Sequence, residues 1–304
     1  MDRLDLIRIF SRVVEHGNFS ATARELGVGQ PAISKRVAAL EAELGVELIR
    51  RSSRTFTVTE SGRRFYEASV RLLEDYDDAA SEAKKVQVYP SGLLRVLASP
   101  TFSRLYITPH LALFRDRYPD VSVDLITATP PTRMMEDGAD VAIYGGELSD
   151  SSLVAKKIAD ATMVTVATPE YLVGHGTPCR PQDLETHSAI AVLEFGAVRN
   201  WVFANATARH VHQPRGFLRT NDAEQLRSAV LSHLGIANAP SWLFARELAA
   251  GTVQALLLDF NFSKPIFSLR PSGRRLAKKV EVFTGFISKI LAEELTPANA
   301  LIAR

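Results

Sequence analysis

Residues 19–45, FSATARELGVGQPAISKRVAALEAELG, contain two short amphipathic helical patterns joined by the residues Gly-Val-Gly. The apolar residues of the second pattern are spaced by four, three and four positions: Ile33, Val37, Leu40 and Leu44. This spacing places them on one face of a helix. Pro31 stands in the first turn, where its missing N–H group costs little. The stretch therefore predicts two helices joined by a three-residue turn, a helix-turn-helix.

The opposite face of the second helix is short and polar, which suits entry into the major groove of DNA. Gln30 and Ser34 can hydrogen-bond to base edges. Lys35 and Arg36 can reach phosphates or guanine, and Pro31 can touch a thymine methyl group. A helical hairpin whose exposed face is merely solvated has the same spacing, so the spacing alone leaves both interpretations open.

A basic, hydroxyl-rich segment follows this pattern. Residues 50–59, RRSSRTFTVT, alternate polar with β-branched or aromatic residues near their end, which predicts a short hairpin. Arg50, Arg51 and Arg54 would contact phosphates beside the groove. An isolated charge cluster is more often a solvated surface, but beside a groove-facing helix it favours DNA binding. Ser20, the expected N-cap of the first helix, completes the DNA-contact candidates.

Residues 60–88 predict one long helix. Its apolar residues recur every seven positions: Phe65, Leu72, Ala79 and Val86. Such a repeat on an otherwise charged helix favours pairing with another helix. The stretch YPSG at 89–92 breaks the pattern, so a domain boundary is expected there. The predicted domains are a DNA-binding domain at 1–59, a linker helix at 60–89 and a regulatory domain at 90–304.

Short apolar strands alternate with helices after Gly92, which predicts an α/β architecture with ligand sites at the carboxyl ends of strands. Two lobes are expected, one at about 93–160 plus 266–304 and the other at about 161–265. The chain as a whole is expected to be an α+β multidomain protein.

The bulk composition excludes several classes of protein. The formal net charge is only +2, so any nucleic-acid site must be a local patch. Cys179 is the single cysteine, which rules out an intrachain disulfide and fits a cytoplasmic protein. No run is long and apolar enough to cross a bilayer. Nucleophile-elbow, phosphate-loop, dinucleotide and metal-ligand spacings are absent, so no enzyme activity, metal or cofactor is expected.

Residues 1–62 resemble, almost without gaps, the N-terminal domain of LysR-type transcriptional regulators. Further stretches such as RYPDVSVDL, PEYLVGHGTP and LGIANAP resemble the effector-binding region of the same family. The resemblance implies a winged helix-turn-helix, a long dimerising linker helix, and a two-lobed regulatory domain like a periplasmic solute-binding protein.

The resemblance also implies partners and a mechanism. A homodimer or homotetramer would bind an interrupted dyad in promoter DNA, with RNA polymerase as a further partner. The effector would be a small molecule, most simply an organic acid. Its binding would change lobe closure, subunit packing and thereby the spacing of paired recognition helices. Two rivals stay open: a regulator of the same fold with no metabolite effector, and a small-molecule binding protein or enzyme built on the α/β region.

Candidate effector contacts follow from the resemblance and from the strand ends. The loop SPT after the first regulatory strand suits an anion, although an N-cap without a ligand explains it as well. Tyr144 is either a cleft wall or a packed aromatic, and Asn238 is either a ligand group or a satisfied core amide. The full set is Ser99, Pro100, Thr101, Thr127, Thr129, Tyr144, Phe195, Asn238 and Pro240. No cationic group for an acidic effector is assigned.

Two residues depart from the pattern of the family. Gly29 precedes the recognition helix where relatives usually carry a serine that would cap it, although glycine is a tolerable N-cap. Tyr144 stands where many relatives carry arginine. The effector chemistry is therefore expected to differ from the commonest pattern.

Overall fold

The computed structural model describes residues 2–51, 56–83, 89–127, 138–146, 153–194, 196–204, 209–272 and 276–300. The chain divides into two compact units, Met1–Tyr89 and Pro90–Arg304. No helix in these described ranges is both long and apolar enough to cross a bilayer.

The N-terminal unit is helical with a small hairpin. Its elements are α1 (Arg3–His16), α2 (Phe19–Glu25), α3 (Gln30–Leu44), β1 (Ile49–Arg51), β2 (Phe56–Val58) and α4 (Glu60–Ala83). Its core is formed by buried apolar residues of the first three helices and of the start of the hairpin: Leu6, Ile9, Phe10, Val13, Ala23, Ile33, Val37, Leu40, Leu48 and Ile49. The two predicted helices of the opening stretch and the predicted hairpin are thus present.

The caps of α2 and α3 correct two details. Asn18, not Ser20, caps α2, because its side-chain oxygen accepts a hydrogen bond from the Ala21 N–H at 2.7 Å. Gly29 caps α3 without a side-chain bond, as its lack of a hydroxyl predicts. Leu44 was expected on the buried face, but it is 40% exposed, because the helix ends there and Gly45 turns the chain away with φ of 70°.

Helix α4 packs against the core through its partly buried Phe65 and Tyr66, and its later apolar residues are more exposed. Phe65 packs against Phe10 with ring centroids 5.6 Å apart, whereas Leu72 and Tyr76 are about half exposed. A bidentate ion pair joins Arg8 of α1 to Asp77. The predicted helix continues to 88, but residues 84–88, including Val86, lie outside the described ranges.

The C-terminal unit is built from twelve strands within its described residues. They are β3 (Gly92–Ala98), β4 (Val121–Thr127), β5 (Val141–Gly145), β6 (Leu153–Ala167), β7 (Ala191–Glu194), β8 (Ala197–Val198), β9 (Trp201–Ala204), β10 (Arg209–His212), β11 (Arg219–Thr220), β12 (Ala237–Pro240), β13 (Gln254–Leu256) and β14 (Phe262–Pro271). The largest sheet has the order β12-β6-β14-β5-β3-β4, with β13 also paired to β6.

The helices of this unit cover the sheets. They are α5 (Pro100–Phe102), α6 (Leu111–Arg117), α7 (Pro169–His175), α8 (Ala223–Leu231), α9 (Ala245–Ala250) and α10 (Lys278–Ala300). The stretch from Arg104 to Tyr118 does not form one regular helix. Instead a π-helical turn (Ser103–Ile107) and a 3-10 turn (Thr108–His110) lead into α6, because Pro109 lacks the N–H group that a regular helix needs.

Strands β6 and β14 form a long antiparallel pair in the largest sheet. The pair extends from Leu153 opposite Pro271 to Met163 opposite Phe262. The sequence pattern indicated only the apolar second half of β6. Its first half is mostly exposed, so its strand conformation depends on pairing with β14. Asp160 and Pro265, where the lobes are expected to meet, pair with each other.

Four clusters of buried apolar residues lie in the described part of this unit, and we name two of them. We define the first core as the cluster that includes Leu94, Phe114 and Phe283, and the second core as the cluster that includes Val164, Leu226 and Phe244. Trp242 packs against both of them. It therefore links the two halves of the unit.

Candidate DNA-binding surface and effector cleft

Helix α3 presents the polar face that the sequence predicts. Ile33 and Val37 are fully buried, which fixes the rotation of the helix. Gln30, Pro31 and Lys35 are exposed, and Ser34 and Arg36 are partly exposed. Neither cation of α3 forms an ion pair with another described residue, so both charges are available to an anionic partner.

A carboxylate on the buried face of α3 fixes the hairpin. Oε1 of Glu41 accepts hydrogen bonds from the backbone N–H groups of Leu48 at 2.8 Å and Ile49 at 2.9 Å. The start of β1 is therefore tied directly to α3. Sequence reasoning missed this role. Glu41 lies four residues after Val37, on the apolar face of the helix, and a charged residue on that face indicates a partner inside the protein.

The start of α4 also contacts the segment that leads into β1. The Thr59 hydroxyl donates to the Glu47 carbonyl at 2.7 Å and accepts from the Gly62 N–H at 2.9 Å. A Cβ atom on Gly62 would lie 2.1 Å from the carbonyl oxygen of Leu48. Only glycine allows this approach, so the helix and the hairpin have one fixed relative position within the unit.

The basic hairpin is described in part. Arg50 is 75% exposed, and its Nε atom lies 3.6 Å from a Glu47 oxygen, a loose pair that leaves the guanidinium available. The backbone of Arg51 pairs with Phe56, but its side chain and all of Arg54 lie outside the described residues. Ser20 is exposed in the first turn of α2.

Three parallel strands of the C-terminal unit end at one edge of the sheet. Ala98 of β3 is in register with Thr127 of β4 and with Ile143 of β5. Ser99, Thr127 and Tyr144 are therefore brought to the same edge. Thr127 is exposed and Ser99 is partly exposed, whereas Thr101 is buried and Pro100 is exposed in α5.

The Tyr144 ring folds back over Gly146, the second glycine after it. A Cβ atom on Gly146 would lie 2.7 Å from the Tyr144 hydroxyl and 2.8 Å from its Cζ atom. Tyr144 also stands opposite Phe267 in the β5–β14 pair. The position of the ring thus requires the small residue in the sequence YGG, and the ring is only partly buried.

Asn238 is buried and its side-chain amide is engaged within the sheet. Its Nδ2 atom donates to the Thr165 hydroxyl at 3.2 Å, and both residues are at least 95% buried. This bond satisfies one side of the amide from inside the protein. Pro240 lies at the end of the same strand, opposite Met163. Phe195 and Thr129 lie outside the described residues.

Arg199 places a cation beside Asn238, and sequence reasoning did not identify it as a candidate. Its Nη2 atom donates to the backbone carbonyl of Asn238 at 3.2 Å, and its own N–H donates to the Val192 carbonyl. Burial lowers the pKa of the Arg199 guanidinium, while the nearby Glu194 carboxylate and Tyr144 phenol act in the opposite direction. The sequence offers no local signal for this contact, because Arg199 and Asn238 are 39 positions apart.

Side chains that follow α5 in sequence connect the first-core side to the second-core side. The Arg104 guanidinium, on the first-core side, pairs with a carboxylate oxygen of Glu224 in α8 on the second-core side. The Tyr106 hydroxyl donates to the Trp242 carbonyl at 3.1 Å. Arg227 forms ion pairs with Glu224 and Glu247, so Glu224 belongs to a chain of alternating charges.

Together, a winged helix-turn-helix unit and a two-core α/β unit define a DNA-binding regulator that carries a ligand-responsive domain. Residues 4–63 match the family model described as bacterial regulatory helix-turn-helix protein, lysR family, and residues 88–292 match the LysR substrate binding domain. The chain belongs to the LysR family of transcriptional regulators, which confirms the family expected from its sequence.

Relatives match over nearly the whole chain. The transcriptional regulator PtxR of Pseudomonas aeruginosa PAO1 is 32% identical, with 96% of this chain and 94% of PtxR covered. The transcriptional activator AaeR of Escherichia coli K12 is also 32% identical, covering 96% and 95%. The solved structure of CrgA, a LysR-type regulator from Neisseria meningitidis, is 29% identical with a TM-score of 0.61, covering 94% and 98%.

Proposed function

We propose that this chain binds a promoter dyad as a homodimer or homotetramer and changes its DNA binding when a small organic acid enters a cleft between two lobes. The lobes would be about 93–160 with 266–304, and about 161–265. The observation that carries the proposal is the exposed polar face of α3, with Lys35 and Arg36 unpaired among the described residues. Such a face on a buried apolar support is the geometry of a groove reader.

Pairing of two chains is supported by α4. Leu72 and Tyr76 follow Phe65 at heptad-like spacing and are about half exposed. Exposed apolar residues along one stripe of a long helix favour burial against a second helix. A symmetric pair of recognition helices then suits a dyad in the DNA.

An effector between the lobes is supported by the converging strand ends. Ser99, Thr127 and Tyr144 lie at one edge of the parallel strands, which is where ligands bind in open α/β sheets. Asn238 and Arg199 bring polar groups from the second-core side. A ligand that touches both sides favours the closed arrangement, and only such differential binding shifts the equilibrium.

The test is a footprint of the purified chain on the DNA upstream of its own gene, repeated over a salt series. We expect two protected half-sites about one or two helical turns apart, with binding that weakens steeply as salt rises. The double variant Lys35→Ala, Arg36→Ala should lose protection. Lys289→Ala, which removes an exposed cation of α10, is the matched control and should keep it.

Protection that survives the double variant would refute the groove-reading role of α3. If the chain itself protects no fragment, genome-wide selection of bound DNA decides the matter. A selection that recovers no preferred sequence would contradict the proposed function as a whole.

A further inference from the structure

Arg199 lies where a buried cation has few partners. Within the described part of the chain its guanidinium hydrogen-bonds to the Asn238 carbonyl and forms no ion pair. A guanidinium has five N–H donors, so one such bond leaves donors for a ligand. A partly buried charge without a close counter-ion is costly, which favours uptake of an anion at this point.

The backbone around Arg199 holds it in place. Its N–H donates to the Val192 carbonyl at 2.8 Å, which fixes the residue beside β7. The Asn238 carbonyl, which it contacts, belongs to a strand paired with β6 through Thr165. Arg199 is therefore attached at two points, by its backbone to Val192 and by its guanidinium to Asn238, and a bound anion would find the guanidinium already oriented.

Tyr144 lies near the end of β5, at the sheet edge that also holds Ser99 and Thr127. Its phenol acts to raise the pKa of the Arg199 guanidinium, against the larger effect of burial. The ring lies over Gly146, where a Cβ atom would stand, and it is partly exposed. A ligand between the two residues would meet a cation on one side and a phenol-bearing ring on the other.

The charge around Arg199 limits the charge of the ligand. The exposed carboxylate of Glu194 already acts on the guanidinium, and it would repel additional negative charge. A single cation next to an acidic neighbour suits one carboxylate better than two. The rest of the ligand, which would face Tyr144, is best uncharged.

We propose that Arg199 holds the carboxylate of the effector, and that the effector is a small monocarboxylate whose uncharged body lies on the Tyr144 side. This inference rests on the proposed function, because it names the ligand class and the binding residue of the same cleft. The planar guanidinium can form two parallel hydrogen bonds to a carboxylate, which an amide cannot match.

The experiment is calorimetric titration of the full chain with benzoate, phenylacetate and hexanoate, each compared with its primary amide, and with succinate as the dianion. We expect at least one monocarboxylate to bind, with its amide and succinate at least about 10-fold weaker. Arg199→Gln should weaken the acid by about 10- to 100-fold and leave the amide unchanged. Arg199→Lys, which keeps the charge without the planar fork, should recover part of the loss.

Further variants separate binding from folding. Arg209→Gln removes an exposed arginine from β10 and should bind the acid as the natural chain does. Gly146→Ala leaves Arg199 in place but displaces the Tyr144 ring, so it should also weaken the acid. Each variant is checked for an unchanged thermal midpoint and for unchanged DNA binding without acid.

The outcomes separate the two proposals. Binding of the acid that is equal in Arg199→Gln and in the natural chain overturns the role of Arg199, as does a chain that binds none of the three monocarboxylates. Succinate binding as strong as that of the best monocarboxylate overturns the ligand class. Failure of the natural chain to select DNA counts against the proposed function instead, whatever the titrations show.

Discussion

The cations of the candidate DNA-binding surface and those of the C-terminal unit around Arg199 and Arg227 lie in opposite environments. In the N-terminal unit, Lys35 and Arg50 are exposed, and the nearest carboxylate to Arg50 is held loosely. In the C-terminal unit, Arg199 is partly buried and Arg227 is held between two glutamates. Interactions of exposed charges are screened by salt, whereas those of buried charges are screened much less and depend on close geometry. The first arrangement suits a polyanion, and the second suits one small ligand.

The largest effect is expected from disturbing the rigid support of the exposed cations. Gly62→Ala would place a Cβ atom 2.1 Å from the Leu48 carbonyl oxygen and 2.9 Å from a Val58 methyl carbon. Because both contacts are with fixed parts of the unit, the helix or the hairpin must move. Overpacking of this kind costs about 1–3 kcal/mol or more. We expect a matching loss of unfolding free energy in denaturant titrations and loss of DNA binding.

Gly285→Ala is the matched helical control. No atom lies within 4 Å of its ideal Cβ position, and the residue is exposed in α10. Replacing glycine inside a helix should stabilise the chain by up to about 1 kcal/mol. A Gly62→Ala variant as stable as the natural chain would show that the hairpin and α4 are not rigidly joined, and the contrast between the units would weaken.

The next largest effect is expected at Glu41. Its carboxylate lies on the buried face of α3 and holds the hairpin beside the exposed polar face. Glu41→Leu leaves the N–H groups of Leu48 and Ile49 without their acceptor, which costs about 1–3 kcal/mol for each group that stays dry. We expect a lower unfolding free energy and weaker DNA binding. Glu41→Gln keeps a side-chain oxygen acceptor and should be intermediate in both measurements.

Glu43→Gln, at an exposed position on the same helix, provides the control and should behave as the natural chain does. If Glu41→Leu destabilises the unit but binds DNA with full affinity, Glu41 is structural and does not position the hairpin on the DNA.

The N-terminal unit could be predicted from the sequence more fully than the candidate cleft of the C-terminal unit. The face of α3 is encoded by residues within two helical turns, so the spacing of Ile33, Val37 and Leu40 was sufficient to orient Lys35. Ser20 was mistaken for a cap because Asn18, two residues earlier, satisfies the same rule equally well. Local patterns therefore gave the helix-turn-helix, and their errors were shifts of one or two residues.

The cleft depends on contacts between distant parts of the chain. Arg199 and Asn238 are 39 positions apart in sequence. Tyr144, which acts to raise the pKa of Arg199, stands 55 positions before it (199 minus 144). The first half of β6 shows no apolar alternation, since its strand conformation depends on β14. Sequence spacing carries no information about such meetings, so the family resemblance supplied the strand ends but not the cation.

A salt series tests the contrast between the units directly. If Lys35 contacts a phosphate, Lys35→Ala should lower DNA affinity at all sequences and reduce the slope of log affinity against log salt by about 1. Arg199→Gln should leave that slope unchanged, because its charge is turned toward the interior. The measurement is DNA binding by fluorescence anisotropy at several salt concentrations. Equal slopes for Lys35→Ala and the natural chain would mean that Lys35 does not neutralise a phosphate.

The smallest effect is expected from the ion pair between the two core sides. Arg104 and Glu224 are 56% and 34% exposed, so their pair should contribute below about 1 kcal/mol. Since opening of the cleft would separate them, the pair should favour the closed arrangement by a few-fold at low salt. A double-mutant cycle with Arg104→Gln and Glu224→Gln, measured by monocarboxylate titration, gives the coupling energy. We expect a small coupling that disappears at high salt. A coupling that persists at high salt would place this pair with the buried charges of the C-terminal unit, and a coupling of zero at low salt would show that the cleft closes without it.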